Sequence, residues 1–309
     1  MFICLLFLGV LNTLYRPTLK AILPNIVNKK YLIKANSCRS MAQQIMEMVG
    51  PILAAYLVAT FGIFITFEIN GLSFLLAAFA FGFIFIDKNR YQKNMVQQFK
   101  EGFQVLFNHI WLGLSILIGS IVNIGIASFD VIILPIYANE YFKGIESFGW
   151  LLSSMALGAF LGAWIISRQS QVSKSFEKYY IFMFSVGRLV LCLSFSNLFL
   201  ISLIIMFCIG FSITSFVIIW DSTVQELIEE EYLGRVTSLQ IFGGLLFLPL
   251  GYYIFGLLID HINIQIAIAL NGIIIMLSST VGVLNNRFNR TPAQNIIDFK
   301  YCRKAIISL

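Results

Sequence analysis

Long apolar runs separated by short polar islands set the plan of this chain. Nine runs, at 2–27, 36–60, 63–86, 110–138, 148–167, 179–196, 198–224, 236–260 and 262–284, each come close to the roughly 20 residues a helix needs to cross about 30 Å of hydrocarbon. An unpaired backbone amide is costly in hydrocarbon, so runs this apolar span as helices that satisfy their own amides. The short alternating segments of a membrane barrel do not occur. The pattern predicts an all-α polytopic membrane protein with nine transmembrane helices, joined tightly at Gly62, Asn197 and His261. Gly50-Pro51 and Pro249-Leu250-Gly251 predict bendable points inside the second and eighth runs, because proline removes one helical hydrogen bond and glycine allows close contact. Gly158 and Gly162, four residues apart among other small residues, predict a close helix crossing in the fifth run.

Composition sharpens this reading. Of 309 residues, 59% are hydrophobic and 12% charged, and the mean hydropathy of +0.86 exceeds what a soluble core of this size could hide. The formal charge of +6 looks at first like an affinity for nucleic acid. If the first run goes from outside to inside, however, the inner segments hold 16 of the 21 lysines and arginines, and the outer loops hold Lys143 alone. The charge is then a topology signal that leaves no basic face, so nucleic-acid binding is excluded. It predicts a multi-pass membrane protein with a cytoplasmic C-terminus. The start at Met1 runs straight into apolar sequence with no basic leader, as would a chain that lacks earlier helices.

The cysteines and histidines carry little chemistry. Five scattered cysteines have no metal or redox spacing, and His109 and His261 lie at predicted membrane edges away from any ligand cluster. No metal, cofactor or catalytic triad is expected, and the chain does not read as an enzyme.

A long-range repeat organises the whole. Shifting the chain by 201 positions lays Val27, Tyr31, Leu32, Lys34, Ser37 and Gly50 on Ile228, Tyr232, Leu233, Arg235, Ser238 and Gly251. The copies begin six helices apart and therefore run in parallel through the membrane. The stretches that carry the repeat, "RPTLKAILPNIVNKKYLIKANS" followed by "VGP" and "DSTVQELIEEEYLGRVTSL", resemble the major facilitator superfamily, and within it the branch of the enterobactin exporter and macrolide efflux pumps. The resemblance covers the chain from about residue 11 to 284 and implies a truncated major facilitator fold. Residues 1–86 would be the remnant of the N-terminal bundle (family helices four to six), 87–109 a cytoplasmic linker, 110–285 a complete C-terminal six-helix bundle, and 286–309 a cytoplasmic tail. The family's first three helices would be absent. Gly50-Pro51 resembles the core of the family's antiporter motif, with Met46, Ala54 and Ala55 in place of its other glycines. Asp221 with Gln225 resembles an Asn-Thr-x-x-Gln pattern with aspartate for asparagine, and Gly234-Arg235-Val236 resembles the loop after the tenth family helix. The resemblance thus points to Gly50, Pro51, Asp221, Gly234, Arg235, Pro249 and Gly251 as structural or gating positions.

Charges in hydrocarbon require a partner, water or a function. Glu47, 11 residues past Asn36 and so about 16 Å deep, is the candidate for proton coupling; bonding to Gln43 and Gln44 is the plain alternative. Asp130 and Arg188 lie at equal depth, eight residues from the outer ends of their helices, which suggests either a buried salt bridge or substrate contact for Asp130. Arg16 suits snorkelling or the inner vestibule. Asn12 and Asn123 suit either the substrate cavity or a bond between helices. With these residues in place, the resemblance implies a secondary active transporter in the lipid bilayer, exporting small amphipathic molecules in exchange for protons. The alternative, of a different class, is a membrane protein without transport, a remnant or one piece of a split transporter assembled with a separate three-helix fragment.

Overall fold

The computed structural model describes residues 22–24, 26–83, 110–142, 144–168 and 176–288. All regular structure among them is helical. After a 3-10 turn at Lys29–Tyr31 come α1 (Leu32–Gly82), α2 (Ile110–Ser128), a π-turn at Phe129–Ile133, α3 (Leu134–Tyr141), α4 (Ile145–Ser167), α5 (Phe176–Leu193), α6 (Phe199–Leu227), α7 (Glu230–Leu246), α8 (Leu248–His261) and α9 (Ile264–Phe288). Six stretches are long and apolar enough to cross a membrane: Tyr56–Ala80, Leu112–Tyr141, Glu146–Ser167, Phe199–Leu227, Tyr232–His261 and Ile264–Leu284. Six of the nine expected spans therefore have a counterpart among the described residues. Those expected at 36–60 and 179–196 fold as helices but fall short in apolarity. Arg39, Gln43, Gln44 and Glu47 dilute the first, and Arg188 and a polar start at Lys178 the second. Most of the run at 2–27 lies outside the described residues, as do the linker at 87–109 and the tail beyond 288.

Three of the long spans are interrupted where their sequence demands it. Gly62 breaks the 51-residue α1 with φ 79° and ψ 169°, a backbone region open in practice only to glycine. The expected join at Gly62 is therefore present. The helix runs without a break through Gly50-Pro51, in contrast, and a methyl group on Gly50 would meet nothing within 4 Å, so Gly50 permits no close helix contact here. The π-turn has its cause in Pro135. Proline lacks an N–H and its ring would crowd the carbonyl four residues back, and widening the helix by one residue relieves both. The Leu134 N–H accordingly donates to the Phe129 carbonyl five residues before it. The expected bend at Pro249-Leu250-Gly251 is a full break: α7 and α8 meet at Phe247, and Pro249 opens the first turn of α8.

The helices pack in a ring. α6 lies between α4 and α5, α5 packs on α9, α9 on α2, and α2 on α7 and α8, while α1 lies across α4 and α6. Small residues decide two of these crossings. A Cβ on Gly158 would overlap the Phe207 carbonyl and one on Gly210 the Met155 carbonyl, so α4 and α6 touch backbone to backbone. This is the close crossing that the Gly158/Gly162 spacing predicted. The inner faces close over Leu112, Ile133, Leu151, Leu193, Met206 and Ile268, all fully buried.

Candidate functional site

Where α1 begins, beside the buried Leu32 and Ile33, polar groups join it to the last turns of α6. Asn36 is 1% exposed, and its Nδ2 donates to Ser222 Oγ at 3.0 Å and to Gln225 Oε1 at 2.7 Å. One turn further on, Arg39 Nη2 donates to Asp221 Oδ2 at 3.0 Å, an ion pair whose carboxylate side chain is 3% exposed. The geometry follows from helical periodicity. Asn36 and Arg39 are three residues apart and Asp221 and Gln225 four, so each pair lies on one face of its helix. α7 starts three residues after α6 ends, at Glu230, so both copies of the sequence repeat begin at the same end of α6. Burial strengthens the charge-assisted bond and makes its loss expensive. Asn36 Oδ1, Ser37 Oγ and Arg39 Nε nonetheless lack hydrogen-bond partners, so this seam is not fully satisfied.

Deeper in the membrane, α2 carries a second set of polar groups. Asn123 Nδ2 donates to the Gly244 carbonyl of α7 at 2.9 Å, and Asn271 Nδ2 of α9 donates to the Gly125 carbonyl at 3.0 Å. A Cβ on Gly251 would come within 2.9 Å of Ser128 Oγ, so α8 approaches α2 closely just beyond the break at Phe247. Between α2 and α7, from Gly113 to Ile124 and facing Gly243 and Phe247, runs a cleft of about 480 Å³ whose walls are almost entirely apolar. Ser120 is its one hydroxyl, and that group is bonded to the Ile116 carbonyl. Such a cleft holds a small apolar or amphipathic molecule without offering it a charge.

Residues 1–305 match the description of the transmembrane secretion effector family, a branch of the major facilitator superfamily. The chain belongs to that family. Two similar relatives are the macrolide efflux protein A of Streptococcus pyogenes and its counterpart in serotype M6 of that species. Each is 24% identical over 302 residues, a stretch covering 94% of this chain and 74% of the relative. A transmembrane secretion effector with these relatives is a multi-pass membrane transporter of the efflux type and not an enzyme.

The sequence-derived positions in this transmembrane secretion effector fall into distinct settings. Asp221 and Gln225 lie in the seam between α1 and α6, as two of its five hydrogen-bonding residues, with Ser222 beside them. Asn36 and Arg39, which complete it, were not singled out from sequence. The readable signal was Arg39, a cation inside an expected span with no stated partner. Gly234 and Arg235 lie in the first turns of α7, where the Arg235 guanidinium is 5.4 Å from the centre of the Tyr232 ring. Pro249 and Gly251 shape the α7–α8 break. Asn123 bonds between helices. Glu47 is exposed and accepts from Gln43 Nε2 at 2.9 Å. The salt bridge expected between Asp130 and Arg188 does not form: Arg188 is exposed, and Asp130 Oδ1 is buried with no hydrogen-bond partner. The equal count to the outer helix ends is not kept, since the helices end at Tyr141 and Leu193, and the Phe129–Ile133 π-turn shifts the register around Asp130. Asn12 and Arg16 lie outside the described residues.

Proposed function

We propose that this protein exports small amphipathic molecules from the bacterial cytoplasm across the inner membrane in exchange for protons, with its C-terminus on the cytoplasmic side. The reading rests on family membership and one structural observation, the polar seam of Asn36, Arg39, Asp221, Ser222 and Gln225. Two halves of a transporter that move against each other need a contact that is specific when closed and can re-hydrate when open. Amides and an ion pair meet both demands, whereas an apolar seam would exchange one hydrocarbon surface for another. The apolar cleft between α2 and α7 is the candidate route for the substrate. Its volume suits a drug-sized molecule, and macrolides are the first class to try because the two relatives carry macrolide efflux in their names.

The test is transport by the full chain reconstituted in proteoliposomes with an imposed pH gradient, using a labelled macrolide and a cationic dye as probes. Accumulation that collapses with the gradient is the expected outcome. Uptake no faster than in protein-free vesicles for every probe ends the reading.

A further inference from the structure

We propose that Asp130 is the group that carries the exchanged proton. This deepens the exporter reading by assigning its coupling site to a residue, and it stands on the geometry around the π-turn. Asp130 lies within about one turn of the middle of the Leu112–Tyr141 span, where an ionised carboxylate costs on the order of 3 kcal/mol unless something compensates it. Nothing among the described residues does. Its Oδ1 is sealed and unpartnered, and Arg188, the cation expected to pair with it, is exposed. The π-turn is already accounted for by Pro135, so the carboxylate is not needed to shape the helix.

Of the other acidic side chains in the spans, Glu47, Glu68, Glu140, Glu146 and Asp260 are exposed, Asp221 is held by Arg39, and Glu226, whose Oε2 is also buried, lies at the very end of α6 rather than near the middle of its span. Around the π-turn, α3 brings Tyr137, Glu140 and Tyr141, and α8 brings Tyr252, Tyr253, Asp260 and His261, while the described side chains of α2 and α9 include no titratable group. Tyr137 spends its hydroxyl on the Ser196 carbonyl and Ser202 Oγ. No described cation neutralises Asp130, and a proton is the one ligand that a single sealed carboxylate oxygen takes without further ligands around it. The step is simple: the carboxylate takes a proton from the outer side and releases it to the inner side as the surroundings alternate, with no other bond made or broken.

Two measurements on the full chain in lipid separate this idea from the exporter reading. The first is the infrared band of a protonated carboxylic acid followed over pH, which requires no transport. The band is expected in the wild type and in Glu68→Gln, and it is expected to be lost in Asp130→Asn. The second is gradient-driven dye uptake, expected to be lost in Asp130→Asn, restored in part by Asp130→Glu and unaltered in Glu68→Gln. An unchanged band in Asp130→Asn, or wild-type uptake by that variant, overturns the assignment. Bleaching of the band by sodium or tetraphenylphosphonium at constant pH overturns it in favour of a larger cation. A wild type that moves no probe defeats the exporter reading alone, because the infrared arm still decides whether Asp130 holds a proton.

Discussion

Arg39 shows how little of a buried bond is visible in one helix alone. Its guanidinium is part-exposed, but the Asp221 side chain is 3% exposed and would keep an uncompensated charge if Arg39 were lost. Arg39→Ala is expected to cost about 1–3 kcal/mol, the low end of the range for a broken buried pair because water can reach the arginine side. Arg39→Leu with Asp221→Leu should cost less than the sum of the single changes, since removing both charges removes the desolvation burden as well. Thermal unfolding of the four proteins in detergent checks this, and strictly additive shifts would show that the pair is not coupled. Tyr137 makes the neutral comparison. It is fully buried, and its hydroxyl bonds Ser196 O at 2.6 Å and Ser202 Oγ at 2.9 Å, so Tyr137→Phe should destabilise by about 1–2 kcal/mol through the groups it leaves unpaired.

At the scale of elements, glycine has opposite meanings in two helices of similar composition. Gly210 of α6 lies against the Met155 backbone of α4, and a single methyl there forces the crossing apart. Gly50 of α1 has open space where its Cβ would be. Gly210→Ala is expected to lower the unfolding temperature by an amount equivalent to about 1–3 kcal/mol, while Gly50→Ala is expected to raise it slightly, by up to about 1 kcal/mol, through helix propensity. A fall for both variants would show that Gly50 is a packing position after all. Sequence spacing revealed the small-residue face of α4 because Gly158 and Gly162 repeat along one side of a helix. A Gly-Pro pair such as Gly50-Pro51 looks the same whether or not a neighbour approaches, so spacing alone does not say which.

For the whole molecule, the outer part of α1 and the seam at its start pose separate questions. None of the Tyr56–Ala80 stretch is buried among the described residues, and Phe64 and Phe67 are 83% and 69% exposed. In a bilayer, acyl chains cover such a surface. Phe67→Trp should therefore be quenched by brominated lipid, and the absence of quenching would mean that protein covers this face. At the seam, a short cleavable linker between cysteines placed by Asn36→Cys and Ser222→Cys, in a chain free of other cysteines, should stop efflux until the linker is cut. Full efflux with the linker in place would exclude separation at this seam as part of the cycle.

What the sequence alone determined is what one chain segment can express: helical spans, because hydrocarbon leaves the backbone no other way to bond; breaks at Gly62 and Pro249; and the small-residue face of α4. The repeat, read in one line, also announced that two segments are built alike. What only the tertiary structure decided is which groups meet. Asn36 and Arg39 acquire their meaning from Ser222, Gln225 and Asp221, nearly two hundred residues away, and Asp130 loses the partner that depth alone had suggested. The physical reason is that depth along a helix can be counted from residues, at about 1.5 Å each, whereas its rotation and its neighbours are set by the summed packing of every other helix.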